Sequence, residues 1–96
     1  MIYQIVIPES VFEELNEVTL YYEFHQKGLG LKFVMNWETT MEHLKKSPLV
    51  FQRKHKKLRS IQMSRFPYIL VYEVIGNKIY VYRLIHAQRN PKSIFK

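Results

Sequence analysis

Residues 2–7, Ile-Tyr-Gln-Ile-Val-Ile, form a short run of β-branched and aromatic side chains and predict a strand. From Ser10 the period changes. Val11, Leu15, Val18 and Tyr22 recur at helical spacing on one face, and Ser10 followed by Glu13 has the form of a capping box. Lys27-Gly28 predicts the end of this helix, because glycine takes the left-handed conformation of a C-cap without a steric penalty. A second helix is expected over 30–46, with Val34, Trp37, Met41 and Leu44 as its apolar stripe. Lys45 and Lys46 suit the dipole of its last turn, and Ser47-Pro48 stops it. So short a connection predicts an antiparallel hairpin that lays one apolar side, Trp37 included, on a sheet.

Residues 49–57 lose the periodicity and carry Arg53, Lys54, His55, Lys56 and Lys57, which predicts a basic loop. Three strands are expected beyond it, over 58–63, 68–75 and 78–86, the last two joined by the hairpin dipeptide Gly76-Asn77. Both of those strands are apolar on both faces, as central strands are. The expected fold is therefore α+β in the order β-α-α-β-β-β, a helical hairpin packed on a mainly antiparallel four-stranded sheet. Its 96 residues make a single domain, 1–96, with no repeat, linker or low-complexity stretch.

Composition narrows the function. A hydrophobic share of 47% and an aromatic share of 15% exclude intrinsic disorder. The absence of cysteine excludes disulfides, thiolate metal sites and cysteine nucleophiles together. No apolar run approaches the roughly 18 residues of a membrane span, so no membrane partner is expected. Met1-Ile2-Tyr3-Gln4 lacks the features of a signal peptide, which makes a cytoplasmic location the expectation. Charge is segregated: residues 1–44 hold seven Glu against Lys27 and Lys32, for −5, while residues 45–96 hold thirteen Lys and Arg against Glu73, for +12. A segregated basic half builds a field that attracts polyanions, so nucleic acid and acidic proteins are the expected partners.

Candidate chemistry is correspondingly restricted. His25, His43, His55 and His86 are spaced 18, 12 and 31 residues apart, which predicts no metal site, and no cofactor motif is present. His25 and His43 read as helix-surface residues. Gly28-Leu29-Gly30 is a helix–helix turn rather than a phosphate loop, and a chain without Asp cannot build a Ser-His-Asp triad. The glutamates crowd the helical hairpin as a solvated face. What remains is a basic and aromatic constellation: Arg59, Arg65, Arg83, His86 and Arg89. Strict alternation puts Tyr80, Tyr82, Leu84 and His86 on one face of the last strand and Ile79, Val81, Arg83 and Ile85 on the other, so Arg83 and His86 diverge unless a bulge intervenes. Guanidinium groups suit phosphate oxygens and aromatic faces suit unstacked bases, so this surface can bind RNA, with His86 supplying a proton for metal-free cleavage. The plainer reading is that the arginines are strand-edge cations and that His86 closes the sheet through a hydrogen bond.

Several stretches together resemble the RelE/ParE superfamily of bacterial toxin–antitoxin toxins over nearly the full length. They are Glu14-Leu15-Asn16-Glu17 leading to Tyr21-Tyr22, Gly28-Leu29-Gly30 with Phe33, Leu44 with Ser47-Pro48, and Arg65-Phe66-Pro67-Tyr68-Ile69-Leu70-Val71-Tyr72-Glu73-Val74. The pattern continues through Ile79, Val81 and Leu84-Ile85-His86 to Arg89-Asn90-Pro91. The resemblance implies a helical hairpin on a curved sheet, and a cognate antitoxin that wraps the toxin in a hetero-oligomer. It implies one of two activities: inhibition of DNA gyrase by protein binding, as in ParE-type toxins, or cleavage of ribosome-bound mRNA, as in RelE-type endonucleases. RelE-type nucleases carry an Arg after the Tyr that opens the third strand, and a Tyr soon after the last strand's Arg. Here Tyr68 is followed by Ile69, and although Arg89 matches that Arg, Phe95 stands at the Tyr position. The resemblance is thus nearer the ParE-like, non-enzymatic side. Lys56, Lys57, Arg59, Arg65, Arg83, His86 and Arg89 are the expected target- or antitoxin-binding residues. His86, Arg89, Arg65 and Arg59 would be catalytic only in the nuclease alternative.

Overall fold

The apolar face that begins at Val11 forms α1 (Glu9–His25) in the computed structural model, which describes residues 2–51 and 53–88. Pro8, not Ser10, precedes the helix. Its ring holds φ at −73°, and its carbonyl accepts the N–H groups of Val11 and Phe12 at 3.0 and 3.3 Å. Ser10 is then already inside the first turn and no side chain caps it, so the expected capping box with Glu13 does not form. Val11 and Leu15 are buried as expected, and Val18 and Tyr22 pack half-buried against the same core.

The turn into α2 (Leu29–Lys46) corrects the expected role of Gly28. Helix α1 closes at Gln26, whose N–H donates to the Tyr22 carbonyl at 3.0 Å, and Gly28, at φ 88°, opens α2 instead. The Glu23 carboxylate caps the new helix from α1: Gly28 N–H lies 3.1 Å from both of its oxygens, and Gly30 N–H donates to Oε1 at 3.1 Å. A negative charge at a helix N-terminus is favourable on the dipole as well. Gly30 is needed for a different reason: a Cβ there would lie 2.9 Å from the Thr19 carbonyl oxygen and 3.0 Å from Glu23 Oε1. The hairpin closes on this contact. The buried side of α2 differs from the expected stripe at Val34 and Met41. Both lie half-buried, and the buried stripe is Phe33, Asn36, Trp37, Thr40 and Leu44.

The strands are β1 (Gln4–Val6), β2 (Arg53–His55), β3 (Leu58–Gln62), β4 (Tyr68–Ile75) and β5 (Lys78–His86), in the sheet order β1-β5-β4-β3-β2. β1 runs parallel to β5 and every other pair is antiparallel. The four expected strands are present, and β2 is a fifth, in the segment expected as a loop. Its run of cations, suited to a protected sheet edge, hides the alternation that would have announced it. Lys56-Lys57 turn the chain from β2 to β3, and Gly76-Asn77 turn it from β4 to β5, with φ 62° at Gly76. Tyr68, Leu70 and Tyr72 of β4 and Ile79, Val81 and Leu84 of β5 meet Val11, Leu15, Phe33, Trp37 and Leu44 in the core.

A bulge in β5 changes which residues share a face. Val71 pairs with Arg83, but the next residue, Tyr72, pairs with Val81, so Tyr82 is an extra residue on β5. The phase flips there. Leu84 and His86 join Ile79 and Val81 on the helix side, while Arg83 falls with Tyr80 and Ile85 on the opposite face. The expected grouping of His86 with Tyr80 and Tyr82 is thereby corrected, and Arg83 and His86 remain on opposite faces despite the bulge.

Candidate functional site at the two ends of the sheet

The basic residues singled out in the sequence do not converge. Arg65, in the β3–β4 turn, and His86, at the end of β5, lie at one end of the sheet, where Tyr68 pairs with His86 and Ala87 N–H donates to the Pro67 carbonyl at 2.8 Å. Lys56 and Lys57, at the tip of the β2–β3 hairpin, lie at the other, beside the Gly76 turn. Five residues of β3 separate the two ends, a distance of roughly 17 Å at strand rise. Arg89 falls outside the described residues, as does Phe95.

At the Arg65 end, the turn is set by a residue that no sequence motif marks. Asn36, only 6% exposed, accepts the Arg65 N–H on Oδ1 at 3.0 Å and donates from Nδ2 to Ser64 Oγ at 2.9 Å. The only advance signal is a polar residue three after Phe33 and four before Thr40, on the side of α2 that has to be buried. The Arg65 side chain itself is exposed. Beneath it Tyr22, Phe33, Phe66 and Tyr68 meet ring to ring at centroid distances of 4.8–6.4 Å, and His86 adds an edge contact to Tyr68 at 5.2 Å. His86 Nδ1 accepts the Gln88 N–H at 3.2 Å, which places the proton of the neutral ring on Nε2. A shallow cleft of about 210 Å³ beside Tyr68 is walled by Glu17, Val18 and Tyr21.

At the opposite end Arg59 is already engaged. Its Nη1 donates to the carbonyls of Leu49 and Phe51 at 3.3 and 2.7 Å, and the neighbouring Tyr72 hydroxyl donates to the Pro48 carbonyl at 2.6 Å. Together they staple the segment that follows α2 onto β3 and β4. Burial pushes the Tyr72 phenol up to about 12, against the opposing pull of the Arg59 cation. On the other face of the sheet, the bulge residue Tyr82 donates to Glu73 Oε1 at 2.7 Å, and this bond to a carboxylate holds its phenol up at about 12. Arg83 is engaged too: its Nε lies 3.0 Å from Glu14 Oε2, while Glu14 Oε1 accepts the Leu84 N–H at 3.2 Å. Glu14 thus covers the free edge of β5 beyond the end of β1. Among the described residues, Arg83 is the only cation in an ion pair.

His25 and His43 are exposed on the helices, and no three His, Cys, Asp or Glu side chains gather among the described residues. No described helix is long and apolar enough to cross a membrane. A cleft of about 750 Å³ between β1 and α2 contains none of the candidate residues.

The described residues thus form a helical hairpin on one face of a mainly antiparallel sheet, with exposed cations at both ends of the sheet. The sequence matches the family model described as the ParE toxin of the type II toxin–antitoxin system parDE over residues 5–91, and the chain belongs to that family. Its fold is also that of a chain from the structure titled "Chromosomal ParDE TA system from P. aeruginosa", at a TM-score of 0.67 and 15% identity, covering 91% of this chain and 98% of that one. No curated protein sequence matches it.

Proposed function

We propose that this chain is the toxin of a type II toxin–antitoxin pair that inhibits DNA gyrase in the cytoplasm by protein binding and is neutralised by a cognate antitoxin. Family membership supports the toxin role. The observation that carries the choice of target is Ile69. It pairs with Ile85 across β4 and β5, so hydrocarbon stands where RelE-type nucleases are expected to hold a guanidinium. Removing a transition-state charge partner commonly costs orders of magnitude in rate. The exposed Arg65 and the partly exposed His86 then serve as contact residues rather than as acid and base.

Purified protein should inhibit gyrase supercoiling or trap gyrase–DNA cleavage complexes, and its expression should leave mRNA intact. His86→Gln keeps a hydrogen-bonding side chain but cannot transfer a proton near neutral pH, so the variant should retain most of its inhibition. Codon-phased cleavage of transcripts on translating ribosomes, lost in His86→Gln, would overturn this reading and establish the mRNA endonuclease in its place.

A further inference from the structure

The two ends of the sheet differ in what they can bind. Beside the β2–β3 tip a cleft of about 460 Å³ is lined by Leu49, Lys57, Arg59, Glu73 and Ile75, among others. Leu49 is 55%, its neighbour Val50 76% and Ile75 53% exposed, so three aliphatic side chains stand open to solvent beside the lysines. Lys56 and Lys57 are exposed and make no ion pair among the described residues. Glu73, the only acid of residues 45–96, accepts the Tyr82 hydroxyl and is the single carboxylate in this lining, against Lys57 and Arg59. Apolar floor and unpaired cationic rim together fit a segment that carries hydrophobic and acidic side chains. Each cleft has one carboxylate in its wall, but Glu73 stands beside Lys57 and Arg59, whereas the smaller cleft at the Arg65–His86 end holds Glu17 with no cation in its lining. An acidic segment is therefore favoured at the first and repelled at the second.

We infer that the Lys56–Lys57 end is the docking surface for an acidic, amphipathic segment of the antitoxin, and that this segment leaves the Arg65–His86 end uncovered. The inference rests on the toxin reading above. Neutralisation would then act from the end of the sheet opposite the residues assigned to the target. Coupled folding of such a segment buries the exposed aliphatic side chains and offsets the lysines, with steering sensitive to salt and buried contacts much less so.

The test uses the full chain and the protein encoded by the reading frame adjacent to its gene, with affinity and association rate measured over a range of salt. The double variant Lys56→Glu/Lys57→Glu should bind about tenfold or more weakly, mainly through slower association, and its rate should lose most of its dependence on salt. Val50→Ser, a surface change that leaves the core intact, should weaken binding through faster dissociation. Arg65→Ala should bind the antitoxin as wild type does. Wild-type affinity in both the double lysine variant and Val50→Ser, or a loss confined to Arg65→Ala, would overturn the inference while leaving the toxin reading in place. Failure of the wild-type chain to bind the adjacent protein at all would overturn both.

Discussion

Tyr72→Phe isolates one hydroxyl in the middle of the fold. Tyr72 is fully buried, and its hydroxyl donates to the Pro48 carbonyl over 2.6 Å at the point where the chain leaves α2. The substitution keeps the ring and therefore the packing. It removes the bond and leaves a buried carbonyl without its partner, a loss of about 1–3 kcal/mol. For a domain of this size about 2 kcal/mol corresponds to a fall in Tm of roughly 8–16 °C. The same hydroxyl carries a pH signature. The folded phenol keeps its proton up to about 12, whereas the unfolded one releases it near the ordinary value of 10.0. Between these values the unfolded chain binds fewer protons, so the stability contributed by Tyr72 is fully present below pH 10 and is lost as pH rises toward 12. Two pH units correspond to at most about 2.7 kcal/mol. The phenylalanine ring has no proton to lose, so the variant should begin less stable at pH 7 and then lose less than wild type as the pH is raised. Urea unfolding at pH 7 and at pH 10–11 reads both effects. Tyr82 has a similarly raised phenol, but it is 41% exposed and its hydrogen bond to Glu73 is open to solvent, so its share of any alkaline loss is small and common to both proteins. Equal stability of Tyr72→Phe and wild type at pH 7, or an identical alkaline loss in both, would refute the staple at Pro48.

Gly30→Ala should destabilise the hairpin by up to about 2 kcal/mol in urea unfolding, because overpacking of about 1–3 kcal/mol against the Thr19 carbonyl outweighs the roughly 1 kcal/mol of helix propensity that alanine brings; a more stable variant would refute the close approach of the two helices. Asn36→Ala strips the Arg65 N–H and Ser64 Oγ of their shared partner and should cost about 1–3 kcal/mol, with faster hydrogen exchange at the Arg65 amide as the local readout. Unchanged exchange there would show that the β3–β4 turn holds its shape without α2.

Much of the fold could be read from the chain because its cause is local. The bounds of β4 and β5 agree with the expected ranges, since each is a continuous apolar run flanked by a turn, and Gly76 supplies the positive φ that their hairpin needs. What was not legible depends on neighbours distant in sequence. The buried stripe of α2 takes in Phe33, Asn36 and Thr40 and leaves Val34 and Met41 half-buried, a choice set by what packs against the helix. The bulge at Tyr82 exists only in the pairing of β4 with β5, and it decides the face on which His86 lies. The candidate site divides along the same line. Net charge sums over residues wherever they sit, so the +12 half was visible at once. A contact does not sum in this way. Arg59 and Arg65 are six positions apart and look like one cluster, yet an extended strand carries them to opposite ends of the sheet. There Arg59 spends its guanidinium on the carbonyls of Leu49 and Phe51, while Arg65 gives only its backbone N–H to Asn36 and its side chain is exposed, with no ion pair among the described residues. Two like residues thus stand in different surroundings, one holding the chain together and the other left open to solvent.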